Sequence, residues 1–457
     1  MSGNQTLERG LKNRHVQLLA IGGAIGTGLF LGSGKSIHLA GPSILFAYMI
    51  TGVICFFIMR ALGELLLSNL NYHSFVDFVY DYLGQGAAFV AGWTYWFCWI
   101  SLAMADLTAV GLYIQYWFPN VAQWVPCLIA LVILLAMNLA SVKLFGEMEF
   151  WFALIKVIAI MALIIVGTFM IIKGFSTDAG TSTFSNLWSH GGWFPNGING
   201  FILSFQMVVF AFVGIELVGL TAGETEDPEK VIPKAINNIP IRIIIFYIGA
   251  LAVIMSIYPW NSIKPDQSPF VQVFSAVGIM AAASIINFVV LTSAASACNS
   301  AIFSTSRMVF SLAKEDNAPK LMKKLNNRRI PSNALFFSSI VVLISVILNY
   351  IMPQGVFILI TSISTFCFIF IWAIIVVCHL KYKKSNPELA KISKFKMPFF
   401  PIANYVILTF IGFVLVVLAL SKETRVALFV TPLWFIMLTS IYLIKKKRSK
   451  SLELKDK

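Results

Sequence analysis

Apolar runs of about 20 residues recur along the whole chain, and short polar stretches separate them. A helix needs about 20 apolar residues to cross a hydrocarbon core of about 30 Å. The pattern therefore predicts an all-α integral membrane protein. Its twelve transmembrane helices are predicted at residues 17–37, 42–66, 87–117, 124–143, 148–172, 198–221, 239–260, 272–311, 332–351, 355–380, 402–420 and 426–444.

The composition agrees with a lipid environment. Hydrophobic residues make up 58% of the chain and charged residues 12%, whereas soluble domains carry about 25% charged residues. The net charge is +14, and the charged residues flank the apolar runs instead of forming a face or a groove. Their placement therefore does not indicate nucleic-acid binding. The six cysteines lie inside apolar runs without metal-ligand spacing, which predicts neither a disulfide framework nor a metal or cofactor site.

Lysine and arginine are concentrated in alternate connections between the runs, mainly at 307–329, 381–396 and 445–457. Cytoplasmic loops carry the excess of these residues in membrane proteins. The bias predicts a multi-pass protein of the plasma (cytoplasmic) membrane with both termini in the cytoplasm. Residues 1–16 are then a cytoplasmic N-terminal tail, and residues 445–457 are a basic cytoplasmic C-terminal tail.

Two predicted spans are interrupted in corresponding places. Residues 21–30 contain four glycines, and residues 210–216 place Gly214 next to the carboxylate of Glu216. Glycine costs about 1 kcal/mol per helix position relative to alanine. Close helix packing is one explanation of the first glycine cluster. A matched pair of breaks is also typical of transporters whose broken helices expose backbone groups at mid-membrane. Free N–H groups there suit a carboxylate, and free carbonyls suit an ammonium.

Ionisable residues inside the spans are few, and each costs about 2.5–3.5 kcal/mol at a helix centre. Lys156 is either one partner of a structural ion pair or a proton carrier. Glu216 has the same two interpretations, and Asp106 either has a structural role or lines a polar path. Arg60 and Glu64 stand at an i,i+4 spacing that predicts a local salt bridge.

Several motifs together resemble the amino acid–polyamine–organocation superfamily. Residues 22–30 resemble the signature of its first helix. Further stretches resemble the bacterial amino acid permease branch of this superfamily. They are residues 60–64, 210–216, 221–224 with Pro228, Pro233 and Ala235, 299–300 and 304–307. Residues 210–220 are most similar to the D-serine/D-alanine/glycine permeases of that branch.

The resemblance implies the leucine-transporter fold. Its 5+5 inverted repeat would comprise residues 17–172 and 198–380, with broken helices 1 and 6, and two additional helices would follow within residues 402–444. The implied substrate-binding residues are Ala24, Ile25, Gly26, Thr27, Gly28, Phe210, Ala211, Val213 and Glu216.

The resemblance also implies individual roles within this set. N–H groups of Thr27 and Gly28 would bind the substrate carboxylate, and Phe210 would close over the substrate. Carbonyls near Ala24, Ile25, Phe210, Ala211 and Val213 would accept from its ammonium. Lys156 would occupy the place of a sodium ion in sodium-coupled relatives, so Lys156 and Glu216 are the predicted proton-coupling residues.

The predicted function is secondary active import of small neutral amino acids (D-alanine, D-serine or glycine) by proton symport with alternating access. A permease for aromatic amino acids, proline or γ-aminobutyrate is an alternative, as is an obligate amino acid exchanger in which Lys156 is structural. A membrane sensor is a remote alternative. The chain has no cofactor motif or catalytic constellation, so no enzymatic activity is predicted.

Overall fold

The computed structural model of the chain describes residues 25–453 except positions 73, 141, 217–226, 277–279 and 327. The described part is helical apart from the short antiparallel pair β1 (Ser176–Thr177) and β2 (Gly180–Thr181). The α-helices are α1 (Thr27–Phe30), α2 (Gly32–Ala40), α3 (Ile44–Ser68), α4 (Phe75–Leu83), α5 (Gln85–Gln115), α6 (Trp124–Ala140), α7 (Val142–Lys173), α8 (Gly197–Phe210), α9 (Pro228–Asn237), α10 (Ile239–Arg242), α11 (Ala250–Ile257), α12 (Pro269–Ala276), α13 (Met280–Lys314), α14 (Ser332–Ile351), α15 (Val356–Ser385), α16 (Pro387–Ile392), α17 (Ile402–Leu420) and α18 (Arg425–Glu453).

Nine helical stretches of the described residues are long and apolar enough to cross a membrane. Two shorter apolar helices, within α6 and at α8, accompany them. The all-α, multi-pass membrane architecture is thereby confirmed. The count of twelve spans and the 5+5 repeat stay predictions.

The first predicted span is interrupted inside its glycine-rich region. Gly26 has extended backbone angles and precedes the single turn of α1, and Leu31 separates α1 from α2. The part of this span before residue 25, and the predicted N-terminal tail, lie outside the described residues.

The sixth predicted span is interrupted where the sequence indicated. α8 ends at Phe210, and residues 211–216 form consecutive turns. Gly214 has a φ of 90°, a conformation that glycine adopts without steric cost. The helical part of the predicted span 198–221 therefore ends at Phe210, and residues 217–221 of the span lie outside the described residues.

Other predicted boundaries also change. The predicted span 272–311 falls on α12, which begins at Pro269, and on α13, which ends at Lys314, and residues 277–279 between them lie outside the described part of the chain. The predicted span 239–260 consists of α10, a π-helix at Ile243–Gly249, and α11. The predicted tail 445–457 instead continues α18 as far as Glu453. Hydropathy distinguishes neither an α-helix from a π-helix nor the end of one helix from the start of the next, because every segment involved is apolar or adjoins an apolar one.

The short helix α4 shows a start signal that the apolar pattern passes over. Ser74 accepts a hydrogen bond from the first turn, and the Asp77 side chain accepts from the Ser74 N–H. This reciprocal capping box satisfies N–H groups that have no partner within the helix.

Helix α5 is the centre of the packing, with α13, α15 and α14 against it. α18 lies at the periphery, where Phe429, Leu433 and Ile436 are 68%, 64% and 62% exposed. Side chains of this kind on the outside of an apolar helix face lipid in a membrane protein. α5 is thus an interior helix, and α18 is a peripheral one.

The predicted salt bridge between Arg60 and Glu64 is wrong. Glu64 is fully buried and pairs with Lys383 and His379 of α15. Arg60 donates instead to Asn237 and to the carbonyl of Lys396. Spacing within one helix could not reveal partners that lie on other helices.

Candidate functional site

A small cavity lies where the two interrupted spans meet. Its volume is about 20 Å³, which is about the space of one water molecule. Six of the nine predicted substrate-binding residues line it, and they come from both interruptions. The lining residues are Gly26, Thr27, Gly28, Leu102, Asp106, Phe210, Ala211, Val213 and Ala297.

The two interrupted segments touch at Gly28 and Ala211. A Cβ atom built on Gly28 would lie 2.6 Å from Ala211 Cα and 3.0 Å from its backbone nitrogen. A Cβ built on Gly26 would meet nothing within 4 Å. Glycine at position 28 thus allows the backbones to approach, whereas glycine at position 26 leaves space on the cavity side.

Helix α5 supplies the acidic side chain of the cavity. The Thr27 hydroxyl donates to Asp106 Oδ1 over 2.8 Å, and both side chains are buried. Asp106 therefore lines the polar side of the cavity, one of the two roles that the sequence left open. Leu102 of α5 and Ala297 of α13 also line it, and sequence reasoning missed them because apolar residues in apolar spans give no distinguishing signal.

Replacing Thr27 by valine is expected to raise the KM for uptake about tenfold. The change removes a hydroxyl bonded to a carboxylate, and hydrogen bonds to charged groups contribute about 1.5–3 kcal/mol. Uptake kinetics of Thr27→Val and Thr27→Ser in proteoliposomes measure the effect. Because serine keeps the hydroxyl, a KM that rises equally in both variants would contradict the role of this hydrogen bond.

The backbone at the cavity supplies both donors and acceptors. Thr27 and Gly28 stand in the first turn of α1, where N–H groups have no partner within their own helix. The Phe210 carbonyl accepts from the Val213 N–H over 3.2 Å. The Ala211 carbonyl accepts from the Tyr247 hydroxyl over 3.1 Å. Each of these oxygens has a second lone pair for an ammonium.

The remaining predicted site residues are not in the cavity lining. Ile25 is buried beside it, and Ala24 lies outside the described residues. Glu216 is 2% exposed and accepts from Trp372 Nε1 over 3.3 Å. Its other oxygen, Oε1, has no hydrogen-bond partner among the described residues.

Lys156 is 1% exposed and lies on α7, which packs against α11 and α13. It is not among the residues that line the cavity. The structure therefore separates the predicted proton-coupling residues Lys156 and Glu216 from the cavity surface.

Comparison with known proteins agrees with this architecture. The sequence pattern described as amino acid permease matches residues 15–455. An uncharacterized transporter of Bacillus subtilis (strain 168) is 77% identical over 97% of both chains. The amino-acid permease AapA of the same organism is 73% identical over 97% of this chain and 96% of its own. A D-serine/D-alanine/glycine transporter of Escherichia coli (strain K12) is 56% identical over 98% of this chain and 96% of its own. The chain belongs to the amino acid permease family.

Proposed function

We propose that this permease imports small neutral amino acids, namely D-alanine, D-serine or glycine, by proton symport. The observation that carries the proposal is the cavity between the two interrupted spans, to which both contribute backbone. The substrate would bind there once the surrounding helices move apart, since the cavity has room for about one water molecule. It would then become enclosed and leave on the other side by alternating access. The same proposal includes location in the plasma membrane, cytoplasmic termini, twelve spans and a 5+5 repeat.

The backbone of the cavity fits the two groups that all α-amino acids share. The N–H groups at the start of α1 would hold the substrate carboxylate, since a helix start favours negative charge. The carbonyls of Phe210, Ala211 and Val213 would accept from the ammonium. Phe210 packs edge-on against Phe357 with ring centroids 6.2 Å apart, and it would cover the bound substrate.

The side chains around the cavity support a small substrate. The side chains of Gly26, Ala211 and Ala297 are small or absent and occupy little of the cavity. The Asp106 carboxylate lies on the same side of the cavity as Thr27, to which it is hydrogen-bonded. The E. coli relative that shares 56% of its residues transports D-serine, D-alanine and glycine according to its name. Both observations favour small neutral side chains over aromatic ones, proline or γ-aminobutyrate.

Proton coupling is assigned to Lys156 and Glu216. Both are buried ionisable residues, Lys156 within α7 and Glu216 at the end of the turns that follow α8. A change of charge at a buried site is costly, so it can drive a change of structure. Loss of a proton from either group would favour a different arrangement of the neighbouring helices. An obligate exchanger would use the same cavity without that step.

Proteoliposomes distinguish these functions. We expect an inward proton gradient to drive accumulation of radiolabelled glycine and D-alanine. Unlabelled small neutral amino acids should compete, whereas phenylalanine, proline, lysine and γ-aminobutyrate should not. Uptake that requires internal amino acid and ignores the gradient would identify an exchanger, and competition by phenylalanine alone would replace the proposed substrate class.

A further inference from the structure

A polar cluster lies outside the cavity, between the ends of α3, α15 and α17, and its members are buried except for Lys383. Its members are Glu64, His379, Lys383 and Asn404, together with the Met397 N–H from residues 393–401, which we call the linker. Glu64, His379 and Asn404 are each 0% exposed. The bias of lysine and arginine predicts that these helix ends lie at the cytoplasmic side. The proposed function uses none of these groups.

Glu64 is the acceptor at the centre of the cluster. Its Oε2 accepts from the Met397 N–H over 2.7 Å and lies 3.0 Å from His379 Nε2. Its Oε1 accepts from the Lys383 ammonium. One carboxylate of α3 thus binds two side chains of α15 and the linker backbone.

The neighbours of His379 determine which ring nitrogen carries hydrogen. Asn404 Nδ2 lies 3.0 Å from His379 Nδ1, and an amide nitrogen can only donate. With the amide in this orientation, Nδ1 accepts and the hydrogen on Nε2 points to Glu64. In this arrangement the imidazole is neutral and both of its nitrogens are hydrogen-bonded.

The same side chains can also hold the charged imidazole. Asn404 Oδ1 is buried and has no hydrogen-bond partner among the described residues. Rotating the amide by half a turn would bring this oxygen to Nδ1, where it would accept from a protonated ring. The rotation replaces the bond from Nδ2 to Nδ1 by one from Nδ1 to Oδ1, and it gives up the long 3.4 Å bond from Nδ2 to the Val376 carbonyl.

We propose that His379 is a second, cytoplasmic proton-binding site that regulates the carrier. Its ligand is the proton, and its two states differ in the orientation of the Asn404 amide. Histidine is the side chain whose charge ordinarily changes between pH 5 and 8. The proposal rests on the proposed alternating-access carrier but not on its coupling to protons.

The charged and titratable groups around His379 come from each neighbouring element. α3 contributes Glu64 and Arg60, and α15 itself contributes Lys383 and Tyr382, whose ring centroid lies 6.3 Å from that of the imidazole. The linker contributes Lys396, whose backbone carbonyl accepts a hydrogen bond from Arg60. α17 contributes the uncharged Asn404. Glu64 is the one carboxylate among these described groups, so it would accept hydrogen bonds from both Lys383 and the protonated imidazole.

Protonation would tighten the contacts between three helices. The bonds from the ring to Glu64 and to Asn404 would both become charge-assisted, and such bonds are roughly twice as strong as neutral ones. Glu64 belongs to α3, the ring to α15, and the amide to α17. Any step of transport that moves α15 relative to α3 would therefore slow in acid, which would limit import when the cytoplasm becomes acidic.

The test is exchange of radiolabelled D-alanine in proteoliposomes with equal pH on both sides, so that no proton gradient contributes. Wild-type exchange should fall about tenfold from its alkaline plateau to one pH unit below the midpoint, as expected if only the neutral form is competent. His379→Gln keeps a donor and an acceptor but cannot be charged, and it should remove this acid inhibition. His38→Gln, at an exposed histidine of α2, is the matched control and should leave the inhibition unchanged.

Asn404→Asp tests the same site in the opposite direction. A carboxylate beside the ring favours its charged form, so the midpoint of inhibition should rise by about one pH unit or more. Wild-type acid inhibition retained in His379→Gln would overturn the proposal. If that variant does not fold, an unchanged midpoint in Asn404→Asp would overturn it. Exchange without gradient-driven uptake would refute proton symport and leave this test intact.

Discussion

Lys156→Ala is expected to abolish the acid-stimulated part of amino acid uptake while the protein still inserts and folds. The lysine is 1% exposed within α7, and removing it removes a buried amine that would gain or lose its charge with a proton. Under the proposed mechanism the variant would lose the dependence of its helix arrangement on pH. Uptake of glycine into proteoliposomes with and without an inward proton gradient measures this loss.

Lys173→Ala is the matched control for this measurement. Lys173 is the last residue of the same helix and is exposed, with its ammonium 5.9 Å from the ring centroid of Phe169. Its removal should leave gradient-driven uptake intact. Acid-stimulated uptake of normal size in Lys156→Ala would return this lysine to a structural role.

Gly28→Ala should reduce substrate affinity about 5- to 150-fold. The added Cβ would lie 2.6 Å from the Ala211 Cα, and both atoms that it meets first belong to the backbone. Overpacking of this kind costs about 1–3 kcal/mol, and that cost corresponds to the stated range. The affinity of the purified variant for glycine is measured by its competition against a radiolabelled amino acid.

Gly412→Ala separates this steric effect from a general cost of replacing glycine. Gly412 lies in α17, and a Cβ there would meet nothing within 4 Å. Alanine is favoured over glycine inside a helix, so this variant should bind substrate normally and be at least as stable. Wild-type affinity in Gly28→Ala would show that the two interrupted segments need not approach as closely as the structure has them.

The membrane class and the positions of both interruptions could be predicted because lipid imposes strict local rules. Apolar length marks a span, and glycine clusters mark the places where a helix is weak. Gly26 and Gly214 carried that information in the sequence itself. The family resemblance then indicated which backbone groups face the cavity, and six of those residues line it.

The walls of the cavity could not be predicted in the same way. Leu102 and Ala297 are ordinary residues of apolar helices, and only tertiary packing brings them to α1 and α8. The partners of Glu64 are equally distant, since His379 follows it by 315 positions. An i,i+4 neighbour was the nearest opposite charge along the chain, yet packing selected a different cation.

The π-helical stretch Ile243–Gly249 makes this part of the chain tolerant of a change in length. A π-helix holds more residues per turn than an α-helix, so one deleted residue can be absorbed when the coil tightens. The same deletion inside α11 would rotate one side of the helix by about 100° relative to the other. The tightened coil would keep its apolar faces but move Tyr247 away from the Ala211 carbonyl. Natural variants shortened within this stretch would therefore retain the membrane fold and lose a hydrogen bond beside the cavity.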